Sequence, residues 1–378
     1  MIYLTIGNKF NGIYKSQVIG VCRYLNEIAE GEPVVCVSFI PVRNFFAERG
    51  RIKTYEDSII VLPVFYKSHL LYPLVPILAI ICLLTGQRAV MGRGTAATRV
   101  GLLAKKLGAV KTVIYDGRGA HVAEMKEYGS ANPEAVAEGE LLESAAVLDT
   151  DFRLAVSNEL VVYWRREFGY AEDNHGVIPC TVDGAMPSRS AADRERMRAT
   201  HQLPQDALIF VYAGASQTYQ SFDLLEAFLA PVFEARPDAF LLLLSNISAD
   251  ELSLARKYPN RVKISWLAPT DVGGVLAACD YGLLLRAPSV TNQVAAPTKF
   301  AEYLAAGLPV IISEGIGDYS RQVREHGVGY VIGNIAPVPE TYTPSSVPER
   351  DRIRRLAEQL FMKEAFRTAY KRLLTNAR

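Results

Sequence analysis

Residues Ala296–Ser313 read APTKFAEYLAAGLPVIIS, and this stretch decides how the fold is interpreted. Pro297 suits the first turn of a helix, Gly307 suits its C-terminal end, and Pro309 introduces an apolar run typical of a buried strand. The stretch therefore predicts a helix followed directly by a strand. The first amides of such a helix are unpaired and carry partial positive charge, so the backbone of residues 296–300 could hold a diphosphate.

The same alternation of helix and strand extends outward from this stretch in both directions. In the second half, the pattern predicts buried strands at Leu208–Ala213, Ala239–Leu244, Val262–Trp266, Tyr281–Leu285 and Val310–Ser313. In the first half, it predicts them at Ile2–Ile6, Val34–Phe39, Ser58–Val64, Ala89–Met91, Lys111–Tyr115 and Leu154–Val156. Apolar strands that alternate with helices are typical of parallel sheets covered on both faces.

Changes in composition predict the domain boundaries. After Asp183 the polar, basic segment 188–202 is interpreted as a linker and a solvated helix, and four prolines make residues 337–348 irregular. A final amphipathic helix is predicted from about Glu349 to Leu374. We expect two doubly wound α/β domains, 1–183 and 184–361, with residues 362–378 returning to the first. Ligands bind such sheets at the carboxyl ends of the strands, so the loops there are the candidates for chemistry.

Composition narrows the class of protein. The chain has 378 residues with 41 Lys plus Arg against 40 Asp plus Glu, and this net charge of +1 argues against nucleic acid as a partner. The five cysteines are widely spaced without a C-x-x-C pair, which is unlike a disulfide framework or a zinc site. The start MIYLTIGN is interpreted as a first buried strand rather than a signal peptide, so a cytoplasmic protein is expected.

The segment PTKFAEYLAAGLPVI resembles the donor-binding segment of retaining glycosyltransferases with the GT-B fold, specifically family 4 (group 1). That fold has two Rossmann-like domains facing a cleft, with a C-terminal helix that crosses back to the first. In the family, two glutamates separated by seven residues lie near the sugar nucleotide, and the second binds the ribose hydroxyls. Glu302 occupies the second position, whereas Val294 occupies the first.

The resemblance extends to other donor-binding segments. ACDYGLLLR (residues 278–286) and FVYAGASQTYQSFDLL (residues 210–225) are similar to strands of the family's second domain. The loop 214–221 contains no basic residue, so Arg286 and Lys299 are expected to supply the charge for the diphosphate. Gly12, in FNGIYKSQVIG, resembles the family's glycine loop and is expected to permit a tight turn. The donor-binding set that the resemblance implies is Gly12, Arg286, Asn292, Thr298, Lys299 and Glu302.

The segment VMGRGTAATRVGLLAKKLGAVKTVIYDGRGAHVAEMKEYG (residues 90–129) resembles a branch of the family with an aspartate–x–arginine–glycine turn after a strand. Asp116 and Arg118 match that turn, Glu124 matches an acidic residue just after it, and His121 lies where many members carry a histidine near the reacting sugar. The resemblance implies that Asp116, Arg118 and His121 are catalytic. Asp149-Thr150-Asp151 precedes a strand, so it is interpreted as structural rather than as a metal motif, and a metal-independent reaction is expected.

The resemblance implies an enzyme that takes a sugar from a nucleoside-diphosphate sugar, without a cofactor, and passes it to a glycan or lipid-linked acceptor in bacterial polysaccharide or O-antigen assembly. The uncharged segment Leu70–Gln87 is a core helix, a helix resting on the inner face of a membrane, near Lys67 and His69, or a membrane span. Two alternatives stay open: a GT-B sugar-nucleotide epimerase, and a non-catalytic relative used for binding or assembly. The sequence does not indicate an oligomeric state.

Overall fold

The computed structural model describes residues 1–31, 33–65, 71–129, 132–182, 190–214, 221–267, 269–333 and 341–377. The chain divides into two compact units. Unit 1 comprises Met1–Asp183 and Lys363–Arg378, and unit 2 comprises Gly184–Met362. Each unit is an α/β unit built on its own parallel sheet.

The described part of unit 1 contains a seven-stranded sheet of order β3-β2-β1-β4-β5-β6-β7. Its strands are β1 (Ile2–Ile6), β2 (Val35–Pro41), β3 (Ile60–Val64), β4 (Ala89–Arg93), β5 (Thr112–Gly117), β6 (Phe152–Ala155) and β7 (His175–Val177). Every neighbouring pair is parallel. The strand order reverses between β1 and β4, and doubly wound sheets bind ligands at such a switch point.

Helices cover both faces of this sheet. They are α1 (Gly12–Tyr14), a π-helix (Lys15–Ile19), α2 (Gly20–Ile28), α3 (Phe45–Tyr55), α4 (Leu74–Thr85), α5 (Gly94–Lys106), α6 (His121–Tyr128), α7 (Pro133–Leu148), α8 (Asn158–Phe168) and α17 (Arg367–Asn376), with 3-10 turns at Val42–Asn44 and Lys363–Phe366. Alternate residues of β1 enter two separate apolar clusters: Tyr3 joins one, while Ile2 and Leu4 join the other. The sheet is therefore buried on both sides, as its apolar strands require.

The described part of unit 2 contains a six-stranded parallel sheet of order β10-β9-β8-β11-β12-β13. Its strands are β8 (Leu208–Ala213), β9 (Ala239–Leu244), β10 (Val262–Ser265), β11 (Tyr281–Leu284), β12 (Val310–Ser313) and β13 (Gly329–Ile332). Its helices are α9 (Ala191–Thr200), α10 (Phe222–Ala235), α11 (Ser253–Lys257), α12 (Pro269–Ala278), α13 (Val290–Gln293), α14 (Thr298–Ala305), α15 (Tyr319–His326) and α16 (Val347–Phe361), with a 3-10 turn at Ala249–Glu251. Here the switch point lies between β8 and β11.

The structure confirms the predicted strands to within two residues at either end and adds β7 and β13. These two are short edge strands, each with a glycine in three or four residues, and such runs give little periodic signal. The single predicted C-terminal helix is wrong. The backbone becomes extended at Met362, so α16 ends in unit 2, and the residues from Lys363 belong to unit 1.

The structure differs from two further expectations. The solvated helix predicted within residues 188–202 is α9, but its Arg198 is buried rather than solvated. Within the proline-rich segment, Pro348 lies in the first turn of α16, where proline is well tolerated. The predicted positions Pro337 and Pro339, Lys67, His69 and Leu70, Asp183, and residues 215–220 of the Gly214 loop lie outside the described residues.

Candidate functional site

The carboxylate of Asp116 is the centre of a buried polar cluster in unit 1. Asp116 is the fifth residue of β5 and only 2% exposed. Its Oδ2 accepts hydrogen bonds from the Tyr3 hydroxyl at 2.6 Å and from Nη1 of Arg93 at 3.2 Å. Its Oδ1 accepts one from Nη1 of Arg118 at 3.3 Å. One carboxylate thus faces two guanidinium groups, so this group of side chains carries a net positive charge.

Burial and charge act together on the groups around Asp116. Burial raises the pKa of the Tyr3 phenol, and the neighbouring Asp116 carboxylate raises it further. For Arg118, burial opposes the charged form, yet the attraction of Asp116 leaves the pKa of the guanidinium raised. Tyr3 therefore stays a hydrogen-bond donor and Arg118 stays a cation. The prediction that Asp116 and Arg118 form one site agrees with this ion pair, while their catalytic role stays a prediction.

A π-helix positions the other side of Arg118. Residues Lys15–Ile19 form this wider turn, a rare feature that often accompanies functional positions. It places Gln17 in the interior, where Oε1 accepts a hydrogen bond from Nη2 of Arg118 at 3.2 Å and Nε2 donates to the Thr181 carbonyl at 2.6 Å. Nη2 of Arg118 also approaches Sγ of Cys180 at 3.1 Å. The guanidinium is therefore held on several sides.

Two glycines place Arg93 beside this cluster. A Cβ on Gly92 would lie 2.4 Å from the backbone nitrogen of Thr98, so only glycine lets α5 approach β4 so closely. Gly94 has a φ of +75°, a conformation that favours glycine, and it opens α5 directly after the strand. Arg93 between them ends β4 at the switch point, with its side chain 9% exposed. The two glycines thus allow the backbone geometry that places Arg93 at this edge of the sheet.

A buried carboxylate holds the start of the helix that carries His121. Glu143 of α7 is fully buried, and its two oxygens accept hydrogen bonds from the backbone N–H groups of His121 at 3.1 Å and Val122 at 2.8 Å. The His121 imidazole lies at the surface, and partial desolvation lowers its pKa. Desolvation also raises the pKa of Glu124, one turn along α6. His121 and Glu124 are therefore on one short helix, and their proposed roles stay predictions.

Glu143 should make the stability of unit 1 depend on pH. Burial raises the pKa of its carboxyl to about 7 in the folded protein, from an ordinary value of 4.5. Since the folded state holds the proton more tightly, this stabilisation is complete below pH 4.5 and is lost as the pH rises to 7, by about 3 kcal/mol. Glu143→Gln should remove this slope when urea unfolding is measured between pH 5 and 8. Glu140→Gln, an exposed change on the same helix, should keep it; equal slopes in both variants would contradict the assignment.

The structure places Gly12 differently from the expectation. Gly12 is the first residue of α1, and its φ is not positive. The Asn11 side chain caps this helix by accepting a hydrogen bond from the Tyr14 N–H at 2.9 Å. The predicted tight turn at Gly12 is therefore wrong; the left-handed residue in this loop is Gly7, with a φ of +76°. A Cβ on Gly12 would meet nothing within 4 Å. The fold of unit 1 does not require glycine there, and donor binding by Gly12 stays a prediction.

In unit 2, Arg286 and Asn292 lie together after β11. Nη1 of Arg286 donates to Oδ1 of Asn292 at 3.2 Å, and the Arg286 N–H donates to the Ser313 hydroxyl at the end of β12, 3.0 Å away. Asn292 is fully buried, and its Nδ2 donates to the Ala287 carbonyl at 2.9 Å. Because both ends of its amide are used inside the protein, Asn292 positions Arg286. Direct contact between Asn292 and a donor stays a prediction.

The helix α14 is held tightly against the switch point. A Cβ on Gly282 of β11 would lie 2.4 Å from the Tyr303 ring, so glycine allows the close approach of α14. The Tyr303 hydroxyl accepts a hydrogen bond from the Ala213 N–H at 2.9 Å, at the end of β8. Gly307 ends the helix with a φ of +75°, as predicted, and Pro297 precedes its first residue.

The exposed part of α14 carries the predicted donor-binding residues. Thr298 opens the helix, and no side chain of the described residues caps that end. Nζ of Lys299 donates to Oε2 of Glu302 at 2.7 Å, with each side chain about 30% exposed (29% and 30%). These two predicted residues are thus brought together as an ion pair, in which each charge balances the other. Val294, at the first family position, is buried and 3% exposed, so it supports the loop before α14.

The remaining predicted features have structural contacts. Asp151 of the aspartate–x–aspartate sequence accepts hydrogen bonds from Lys105 at 2.6 Å and from the Val113 N–H at 2.8 Å, in agreement with its structural interpretation. The segment predicted at 70–87 forms α4, which buries Leu78 but leaves Leu83 82% and Leu84 79% exposed. Among the described residues, no helix is both long and apolar enough to cross a bilayer.

Some site residues were missed by the sequence analysis. Glu143 could have been found, because it shares a helical face with Gly139 and Ala146, and an acid on an apolar face indicates a specific partner. Tyr3 could also have been found, because it is the aromatic residue in the strand Ile2–Ile6, whose other side chains are aliphatic or small. Gln17 had no such signal, since the π-helix that turns it inward has no sequence pattern.

Comparisons with known proteins agree with the architecture. A model of the Glucosyltransferase 3-like, C-terminal domain matches residues 258–362, which include Arg286 and α14. No curated protein sequence matches the chain. HepE from Anabaena in complex with UDP-glucose is similar in structure, with a TM-score of 0.72, 14% identity and 99% of each chain covered.

Two further solved structures cover nearly the whole chain. A glycosyltransferase from Rickettsia africae has a TM-score of 0.73 and 14% identity over 100% of this chain and 98% of that one. Sucrose-phosphate synthase from Thermosynechococcus elongatus has a TM-score of 0.68 and 16% identity over 99% of this chain and 98% of that one. Family 4 itself stays a prediction. At these identities the likeness establishes the architecture, and the chain has the GT-B fold, with two Rossmann-like parallel-sheet units.

Proposed function

We propose that this protein is a glycosyltransferase that takes a sugar from a nucleoside-diphosphate donor and transfers it, with retention of configuration, to a glycan or lipid-linked acceptor. The observation that supports this most is that Arg286, Lys299, Glu302 and the start of α14 all come between the carboxyl end of β11 and the start of β12, at the ligand-binding edge of the unit 2 sheet. Cationic side chains next to a helix N-terminus suit a diphosphate. The similarity to HepE, whose structure holds UDP-glucose, supports the same donor class.

In this proposal the unit 2 residues stabilise the leaving group. Negative charge grows on the diphosphate as the bond to the sugar breaks, and preorganised cations lower the energy of that state. Arg286 is already oriented by Asn292, so little reorganisation is needed. Lys299 turns from Glu302 to the phosphates, and the freed Glu302 carboxylate accepts hydrogen bonds from the ribose hydroxyls. The bond between the sugar and the diphosphate then breaks, the acceptor oxygen bonds to the sugar on the same face, and the acceptor hydroxyl passes its proton to the departing phosphate, without a metal ion or a protein nucleophile.

The unit 1 residues are proposed to act on the acceptor and the transferred sugar. Arg118 and His121 contact these groups, and Asp116 acts as a positioning residue that fixes Arg93 and Arg118. The ion pairs of Asp116 at 3.2 and 3.3 Å support this division, since that carboxylate is enclosed by its own partners. The lowered pKa of His121 favours a neutral imidazole near pH 7, which can hydrogen-bond to the transferred sugar.

The exposed face of α4 supports an acceptor at a membrane surface, as in bacterial polysaccharide or O-antigen assembly. Ile80, Leu83 and Leu84 are 57%, 82% and 79% exposed on one helix, and Tyr72 just before it is 60% exposed. A single leucine transferred from water is worth about 1.5–3 kcal/mol. We therefore propose that this face rests on the inner leaflet of the plasma membrane.

Replacing Leu83 and Leu84 with serine should weaken binding to phosphatidylglycerol–phosphatidylethanolamine vesicles at least tenfold in a flotation assay, because two apolar side chains would no longer enter the lipid. Leu141→Ser is a matched control, since Leu141 is 74% exposed on α7. The proposal fails if the unaltered protein does not float, or if Leu141→Ser lowers binding as much as the double change.

The function itself is tested with the purified full chain. Thermal shift with UDP-, GDP- and dTDP-sugars identifies the donor, because a ligand of the folded state raises its stability. Release of the nucleoside diphosphate is then measured with and without acceptor. Acceptor-dependent release supports the transferase; an altered sugar nucleotide formed from donor alone would indicate an epimerase. Donor binding without release on any glycan or lipid-linked acceptor would indicate a non-catalytic protein.

A further inference from the structure

The edge of the unit 2 sheet where the strands begin carries a cavity of about 160 Å³. This edge is opposite to the one that carries Arg286 and Lys299, because both residues come after the carboxyl end of β11 and before the start of β12. A water molecule needs about 10–15 Å³, so a tetrahedral oxyanion fits. The side chains that define its charge are Arg194, Arg198 and Glu195 of α9 and Arg350 and Arg354 of α16.

The charges at this cavity are unevenly matched. Asp280 is fully buried directly before β11, and its carboxylate pairs with Arg194 and with Arg198, the latter at 2.9 Å. Nη2 of Arg350 is a more distant partner at 3.6 Å. Asp280 also accepts a hydrogen bond from the Ile209 N–H at 2.8 Å. One buried carboxylate therefore serves three arginines.

Arg354 has its own carboxylate, and Glu195 is exposed at the rim. Arg354 pairs with Asp351 one turn earlier on α16. Counting Asp280, Asp351 and Glu195 against the four arginines leaves an excess of one positive charge. That excess is concentrated in a small, partly enclosed space, where electrostatic interactions are stronger than in water.

Arg350 has an unsatisfied donor. It is only 8% exposed and lines the cavity, and its buried Nε has no hydrogen-bond partner among the described residues. Its other nitrogens donate to the carbonyls of Ala277, at 3.2 Å, and Cys279. Burial, followed by the charge of Arg194, lowers the pKa of Arg350 to about 10. A buried N–H of a cation without an acceptor is costly, and the charge of an anion in the cavity would stabilise this guanidinium.

Two helix starts border the cavity. Ser190 and Ala191, at the start of α9, line the cavity together with Ser345 and Val347, at the start of α16. The N-terminal end of a helix attracts anions, but Asp193 in the first turn of α9 and Glu349 in that of α16 already lie at these ends, so the four arginines are the main source of positive charge. We propose that this arginine cavity is a second anion site, which binds a small phosphate-bearing molecule independently of the donor.

Thermal shift of the full chain tests this site. Inorganic phosphate at 10 mM should raise the Tm by about 2–4 °C above sodium chloride of equal ionic strength, for a Kd of about 1 mM. Arg354→Gln and Ala191→Glu should abolish the shift; the second change places a carboxylate in the cavity and in the first turn of α9, where it is electrostatically favoured. Glucose 6-phosphate in place of phosphate distinguishes an organic phosphate, through a larger shift, from inorganic phosphate.

Two controls separate this site from others. Arg355→Gln removes an exposed charge from the same helix away from the cavity and should keep the shift. Lys299→Gln should also keep it, because that residue belongs to the proposed donor site. The proposal is overturned if phosphate gives no shift beyond chloride, or if the shift survives both Arg354→Gln and Ala191→Glu.

Discussion

Asp116→Asn should lower the free energy of unfolding of unit 1 by about 3 kcal/mol and reduce transfer activity. The change leaves the guanidinium groups of Arg93 and Arg118 facing each other without the carboxylate that now pairs with both. Removing one partner of a buried ion pair costs about 3–5 kcal/mol, and the 21% exposure of the Arg118 side chain favours the lower end.

Tryptophan fluorescence during urea unfolding measures this loss. Trp164 is fully buried in unit 1, whereas Trp266 of unit 2 is 68% exposed. A Trp266→Phe background therefore isolates the unit 1 transition. Asp173→Asn is the matched control, because Asp173 forms an exposed pair with Arg165 and such pairs contribute about 0–1 kcal/mol.

The kinetics distinguish a positioning role from a structural one. If Asp116 orients Arg118 toward the acceptor, Asp116→Asn should raise the acceptor KM under conditions where the variant is folded, and leave the donor KM unchanged. A merely structural role would lower the active fraction with both KM values unchanged. That second result would remove Asp116 from the proposed site.

The fold was largely predictable because its strands are apolar runs and its helices have marked ends. Gly307 illustrates this: a glycine that follows a helical run and precedes a proline predicts a left-handed end, and its φ is +75°. The exceptions are equally physical. The short edge strand Gly329–Ile332 has too few residues for a period, and the turn to extended backbone at Met362 is invisible in the periodic pattern around it.

The candidate site was predictable in its charges but not in its contacts. Arg286, Lys299 and Glu302 were expected near a donor; the ion pair between Lys299 and Glu302 suits their spacing of three residues on one helix, but it was not predicted. Asn292 was expected to contact a donor, and the structure shows it fully buried with its amide oxygen accepting a hydrogen bond from Arg286. Contacts between residues far apart in the chain, such as Gln17 with Arg118, depend on the fold and on a local π-helix, so residue spacing does not reveal them.

Arg286→Ala should raise the donor KM about 10–100-fold, because a hydrogen bond to a charged group contributes about 1.5–3 kcal/mol. Steady-state kinetics with varied donor at saturating acceptor measure the change. Arg286→Lys should recover part of the loss, since it keeps the charge without the fixed guanidinium. Arg321→Ala, at a residue of unit 2 whose side chain is 56% exposed, is the control for lost charge.

Asn292→Ala provides the sharper comparison. This change keeps the Arg286 charge but removes the amide oxygen that holds it at 3.2 Å, so the donor KM should rise by less than in Arg286→Ala. In the double variant, Asn292→Ala should add little, because two residues that act through one contact are not additive. An unchanged donor KM in Arg286→Ala would exclude Arg286 from the donor site. Additive effects would instead mean that Asn292 serves the donor by a route that does not pass through Arg286.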